Sequence, residues 1–198
     1  MISVLIIVLA VGIWGAIHSI LASLTVKDLL ENKFGLLYHQ YYRLIYVIFS
    51  ALSFCGVLAA VIFLPDKHFY TIPLPWIIIT GIIQLAGVGL VMYSLHQTGT
   101  MIFLGFSQAV KPGFENKTVP FITDGAFNYI RHPIYTGSFL LIWFLPFMSQ
   151  NILAFNIAAT VYIFIGVIFE ERKLEIEFGE QYREYKRHTP KFIPFLKR

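Results

Sequence analysis

The sequence predicts an all-α, polytopic membrane helix bundle of about five transmembrane helices with a helical extension at its C-terminal end. Three observations carry that prediction. Of 198 residues, 57% are hydrophobic and 13% charged, against about 45–50% and about 25% in soluble domains. A domain of this size cannot bury such an excess in a core. The apolar residues also fall into runs near the length of about 20 helical residues that crosses a bilayer, and the basic residues gather on one side of the parse those runs define.

The first run, residues 2–24, has no Lys or Arg ahead of Lys27. It exceeds the short apolar core of a signal peptide, so it is expected to remain as a transmembrane helix. The second, 44–64, closes at Pro65-Asp66, and the third, 76–95, follows Pro73-Leu74-Pro75. The stretch 134–169 is too long for one span and is interrupted by Ser149-Gln150-Asn151. It divides into a fourth helix, 134–148, containing Pro146, and a fifth, 152–169. The fourth is short for a full crossing and is expected to tilt or insert partly. Strong helix formers continue from Glu170 to Phe178, where Leu174 and Phe178 share a face. Gly179 suits a helix C-cap, so the last helix should project beyond the membrane.

Five spans put Lys27, Lys33 and Arg43, then Lys111, Lys117 and Arg131, then Arg172, Lys173, Arg183, Lys186, Arg187, Lys191, Lys197 and Arg198 on one side. The opposite side holds only Lys67. This asymmetry predicts an outer N-terminus with the C-terminus and active site cytosolic. A net charge of +4 without dense basic runs gives no nucleic-acid footprint. The single cysteine, Cys55, excludes a disulfide framework and a cysteine metal site. No His pair has zinc-helix spacing, so no metal is expected. Gly87-Val88-Gly89 lacks the third glycine of a nucleotide fold, and there is no Gly-x-Ser-x-Gly elbow.

Three polar groups meet on the basic side. Arg131-His132-Pro133 opens helix four, with Pro133 at N1 and His132 at the N-cap. Free N–H groups and Arg131 there suit a carboxylate or phosphate, although a topology anchor explains Arg131 and Tyr135 equally well. Glu170-Glu171 ends helix five, where carboxylates are costly unless used. One of them could point into the bundle and receive an ammonium group. Glu175, Glu177, Glu180 and Glu184 read as solvated charges. Tyr182 and Tyr185, with the tail from Thr189 to Pro194, either lie in the headgroup layer or close over a ligand, where their faces attract a cation. His18 in helix one reads most simply as a neutral histidine bonded to a neighbouring helix. Arg43 after Tyr41-Tyr42, and His96-Gln97, lie at the same level.

Thr123, Gly125, Arg131-His132-Pro133, Tyr135 and Gly137 stand at a spacing that resembles a conserved block of isoprenylcysteine carboxyl methyltransferases and related phospholipid methyltransferases. Glu170-Glu171, Leu174, Phe178-Gly179, Tyr182, Tyr185 and Pro190 resemble that family's second block, and a helical hairpin separates the two. His18-Ser19, Tyr41-Tyr42-Arg43 and residues 104–108 look more like the bacterial branch of membrane thiol methyltransferases and NnrU-like proteins. The resemblance implies one methyltransferase domain over residues 1–198, with an S-adenosylmethionine-binding part at 121–194. In it Arg131, His132, Tyr135 and Gly137 help form the cofactor pocket, Glu170 meets the cofactor's amino group, and Tyr182 and Tyr185 enclose it. The acceptor would be lipophilic, or a small thiol or carboxylate, entering from the lipid bilayer. Arg131 is then a candidate catalytic residue that orients an anionic acceptor. Glu171, with His18 and His96, is a candidate base for a neutral one. A membrane reductase using a nicotinamide cofactor has a similar C-terminal block but more spans. A non-enzymatic adaptor or transporter would favour internal repeats and midplane polar residues.

Overall fold

The computed structural model describes residues 1–110 and 121–196. Lys111, Lys117, Lys197 and Arg198, which entered the charge argument, lie outside the described residues. The chain opens with α1 (Ile2–Ala22), α2 (Leu24–Phe34) and α3 (Leu36–Phe63). A short strand β1 (His68–Thr71) precedes α4 (Trp76–Gln97) and the single turns α5 (Thr100–Phe103), α6 (Phe106–Val110) and α7 (Ala126–Tyr129). It ends with α8 (Pro133–Trp143), β2 (Phe147–Ser149), α9 (Gln150–Phe178) and α10 (Glu180–His188).

The helices α1, α3, α4 and α9 are long and apolar enough to cross a membrane. Their large side chains stay exposed, such as Leu52 and Ile62 on α3 and Ile82 and Leu85 on α4, the pattern of surfaces that meet lipid rather than water. The fourth helix, expected over 134–148 and short for a full crossing, ends five residues before that bound. It covers 11 residues and ends at Trp143, about 16 Å at 1.5 Å per residue, against about 30 Å of hydrocarbon. Pro146 cannot continue the helix, and Phe147–Ser149 instead pairs antiparallel with β1. The second span begins eight residues earlier than expected, at Leu36 rather than at 44. Ahead of it, the expected loop holds α2, which Ser23 caps by accepting a hydrogen bond from Val26 N–H.

One end of the bundle is clamped by polar groups. The Asp66 carboxylate accepts from the backbone N–H of Asn151 at 2.9 Å and of Lys67 at 2.7 Å. Asn151 in turn donates to the carbonyls of Val61 and Leu64 at the end of α3. The Ser149-Gln150-Asn151 interruption thus starts α9 and ties it to α3, and the Ser149 hydroxyl caps the helix. Burial raises the Asp66 carboxyl, but the hydrogen bonds from Ser149, Asn151 and Lys67 outweigh it and leave the group below its usual value.

In the middle, α4 and α8 meet through glycines. A Cβ on Gly137 would come within 2.7 Å of both the Gly87 carbonyl and Val91 Cγ2. Small residues of this kind let helix backbones approach closely where lipid supplies no hydrophobic drive. Gly15 does the same where α1 crosses α9, beneath the ring of Tyr162. At the other end α9 stops at Gly179, which takes φ 56°, and α10 folds back against it. Gly179 lies about 42 Å along α9 from Asn151, at 1.5 Å per residue.

Candidate functional site

The site begins with the chain turn that precedes α8. Gly125 adopts φ 57°, and the Gln97 side chain clamps the turn by donating to the Asp124 carbonyl and accepting from Ala126 N–H. This directs Arg131 and His132 inward, where both are buried. The C-terminal tail then seals them. Arg131 N–H donates to the Pro190 carbonyl and His132 N–H to that of Lys191, and the Thr136 hydroxyl donates to the carbonyl of Phe192. The mouth of helix four, expected to be open to an anion, is thus occupied by the chain's own tail.

Glu171 stands at the centre of the charge network. One carboxylate oxygen accepts from Arg131 Nε at 3.0 Å and Nη2 at 2.8 Å, with His132 Nε2 at 3.2 Å. The other lies 3.3 Å from Lys186 Nζ and 3.5 Å from Lys191 Nζ. Arg131 Nη1 donates to the carbonyls of Lys186 and Thr189. Four basic side chains therefore surround one carboxylate whose side chain is 6% exposed. This geometry gives Arg131 and Glu171 to each other and binds α8, α9, α10 and the tail into one unit. A carboxylate so surrounded is a weak proton acceptor, and Arg131 retains little donor capacity for a ligand.

Glu170 is placed differently. Its side chain is 43% exposed and faces His132 Nδ1 at 3.7 Å, with the Tyr135 hydroxyl in hydrogen-bonding reach. It opens onto a cavity of about 520 Å3 that Arg131, His132, Tyr182 and Tyr185 also line. Tyr135 stands behind His132, with ring centroids 5.6 Å apart, and does not line the cavity. Gly137 does not line it either; it lies at the α4–α8 seam, where it lets the backbones touch. Tyr182 is 1% exposed, and its hydroxyl has no hydrogen-bond partner among the described residues. Tyr185 donates to the carbonyl of Phe127. Burial pushes both phenols up from their ordinary value, so each keeps its proton at neutral pH.

The first half of the chain closes the cavity. Lys27 of α2 and Tyr38, His39, Tyr42, Arg43 and Tyr46 of α3 form its opposite wall, with Lys173 beside Glu170. Of these only Tyr42 and Arg43 stood out in the sequence. Lys27, Tyr38 and Lys173 were missed because each is an ordinary surface residue of an amphipathic segment until the fold brings the segments together. His18 lies outside, bonded to the Ser50 and Tyr46 hydroxyls of α3 at 3.0 and 2.8 Å. This is the neighbouring-helix bond read from its position. His96 does not line the cavity.

The cavity unites both motif blocks, and the profile of the phospholipid methyltransferase family matches residues 76–181, from α4 into α10. The chain belongs to the phospholipid methyltransferase family. Among individual relatives, a methanethiol S-methyltransferase of Crocosphaera subtropica is 33% identical over 121 residues, covering 54% of this chain and 48% of that protein. Methanethiol S-methyltransferase 1 of Bradyrhizobium diazoefficiens is 36% identical over 104 residues, 52% of this chain and 33% of that one. The human protein-S-isoprenylcysteine O-methyltransferase is 28% identical over 131 residues, 62% and 43% of the two chains. The chain spans about half the length, or less, of these relatives. No solved structure matches it. As a phospholipid methyltransferase family member with four apolar helices of crossing length among the described residues, the protein is an integral membrane protein whose family chemistry requires a methyl donor.

Proposed function

We propose that this chain is an integral membrane methyltransferase that takes its methyl group from S-adenosylmethionine. The acceptor is a lipophilic or small molecule bearing a thiol or carboxylate. The observation that carries the reading is the unpartnered Tyr182 hydroxyl, buried at a cavity whose rim holds the half-exposed Glu170 carboxylate. A buried phenol costs about 1–3 kcal/mol when left without a partner, so a ligand there recovers what the fold gives up. The volume fits the roughly 300–1,000 Å3 of small-molecule sites.

S-adenosylmethionine supplies an activated methyl on a sulfonium, together with an ammonium and a carboxylate. Glu170, steadied by His132 and Tyr135, accepts hydrogen bonds from the ammonium. The Tyr182 hydroxyl offers both a donor and an acceptor. The rings of Phe121, Tyr182 and Tyr42 supply faces that attract a cation by about 0.5–2 kcal/mol. Arg131 and Glu171 position these groups by locking α8, α9 and the tail together, in place of the roles first considered for them, orienting an acceptor and serving as its base. Methyl transfer is an in-line displacement, for which the protein's contribution is proximity and alignment.

In this reading the whole chain acts as one unit, with the donor held chiefly by residues 121–194. The donor is cytosolic, so the Arg131 end faces the cytosol and the N-terminus lies outside. The test is transfer of radiolabel from S-adenosylmethionine to thiols, prenylcysteine analogues and membrane lipid extracts. Labelled product from at least one acceptor class, lost in Glu170→Gln, is expected. An absence of transfer from a folded protein to every class refutes the reading.

A further inference from the structure

The cavity is bipolar. Glu170 and Glu177 stand on its α9 wall, while Lys27, Arg43 and Lys173 converge from α2, α3 and α9. Among the described residues, none of these three cations has a carboxylate partner within ion-pair distance. Lys27 and Lys173 make no hydrogen bond there, and Arg43 spends one N–H on the Phe103 carbonyl and rests over that residue's ring. Elsewhere at this end of the bundle Arg131, Lys186 and Lys191 pair with Glu171, and Arg183 and Arg187 with Glu180, while Lys33 and Arg172, which do not line the cavity, rest over the rings of Phe34 and Phe169. Three cations around one hollow repel one another. Burial first, then Lys173 and Arg43, lower the Lys27 ammonium from its ordinary value. Arg131 does not supply such a site, because Glu171 and the tail carbonyls take its donors.

We infer that Lys27, Arg43 and Lys173 form an oxyanion-binding subsite, which receives a phosphate or carboxylate carried by an amphiphilic acceptor. The subsite rests on the methyltransferase reading only for the word acceptor; the anion site itself stands on the convergence of the cations. An amphiphile rather than a free ion is indicated by α2. This helix carries Lys27 on the cavity side and leaves Leu24, Leu29 and Phe34 exposed, as a helix lying in a membrane surface does. An oxyanion accepts charge-assisted hydrogen bonds from all three side chains, while its chain leaves between α2 and the apolar flank of α9.

The experiment uses the full chain in neutral detergent. Octyl phosphate, octanol, inorganic phosphate and S-adenosylmethionine are titrated calorimetrically into the wild type, the Lys27→Gln/Lys173→Gln variant and the Lys27→Arg/Lys173→Arg variant. Octyl phosphate binding is expected to weaken about tenfold or more in the glutamine variant, the size of one lost charge-assisted hydrogen bond. The arginine variant should retain it, and octanol should bind all three proteins alike. Inorganic phosphate binding as tightly as octyl phosphate would support the subsite and assign it to a free anion. Equal octyl phosphate affinity in wild type and glutamine variant overturns the inference. So does a glutamine variant that loses S-adenosylmethionine affinity while keeping octyl phosphate, since the triad would then hold the donor. A wild type that binds octyl phosphate through the triad but no methyl donor sinks the methyltransferase reading and leaves the subsite standing.

Discussion

Replacing Glu171 by Gln keeps the shape of the side chain and removes its charge. In the wild type its oxygens lie 2.8–3.2 Å from Arg131 and His132 nitrogens and 3.3–3.5 Å from the ammonium groups of Lys186 and Lys191. The amide leaves the Arg131 guanidinium, whose side chain is 1% exposed, without a counter-charge in a dry place. Breaking a buried pair from one side costs about 3–5 kcal/mol. At about 2–4 °C per kcal/mol for a chain of this size, the melting temperature should fall by roughly 10 °C. Arg131→Gln should cost a similar amount, and the double variant should be less destabilised than the two singles together by about 1–3 kcal/mol. Thermal unfolding in neutral detergent, followed by near-ultraviolet circular dichroism, measures all three. Singles within about 2 °C of wild type, or strict additivity, would show that the Glu171 network does not hold this end of the bundle.

Glu170→Gln should behave in the opposite way, with an unchanged melting temperature and S-adenosylmethionine affinity weakened about ten- to a hundredfold, the range of a hydrogen bond to a charged group; calorimetry separates the two carboxylates. Gly137→Leu should force α4 and α8 apart and destabilise by about 1–3 kcal/mol or more, because its side chain would meet the Gly87 carbonyl and Val91; denaturation alongside Gly166→Leu, at a position with open space, checks it. The Asp66 carboxyl sits below its usual value near 3.8 in the folded chain, so its contribution is present above that pH and is lost as the pH falls through the folded value. The stability gap between wild type and Asp66→Asn should therefore be constant near neutrality and shrink below about pH 4.

The apolar runs disclosed the spanning helices because lipid demands length and hydrophobicity together, and α1, α4 and α9 start and end within a few residues of their expected bounds. The fourth helix was misjudged because hydropathy does not distinguish helix from strand: Phe147 and Met148 are as apolar as Leu140 and Leu141 but pair with β1. The α2 helix escaped notice because its mixture of charged and apolar residues carries no hydropathy signal. At the site, the adjacent pair Glu170-Glu171 signalled function and the family resemblance singled out Glu170 for the cofactor, yet adjacency could not say which carboxylate meets arginine. The fold gives Glu171 to Arg131 and leaves Glu170 at the cavity. Gly137 illustrates the reverse case, in which a motif residue near a pocket serves helix packing.

The most direct test titrates the purified chain in neutral detergent with S-adenosylmethionine and, separately, with NADPH. The account predicts saturable binding of S-adenosylmethionine that Glu170→Gln weakens and Tyr182→Phe reduces, with no saturable binding of NADPH. A folded protein that binds NADPH and not S-adenosylmethionine, or neither, would contradict it.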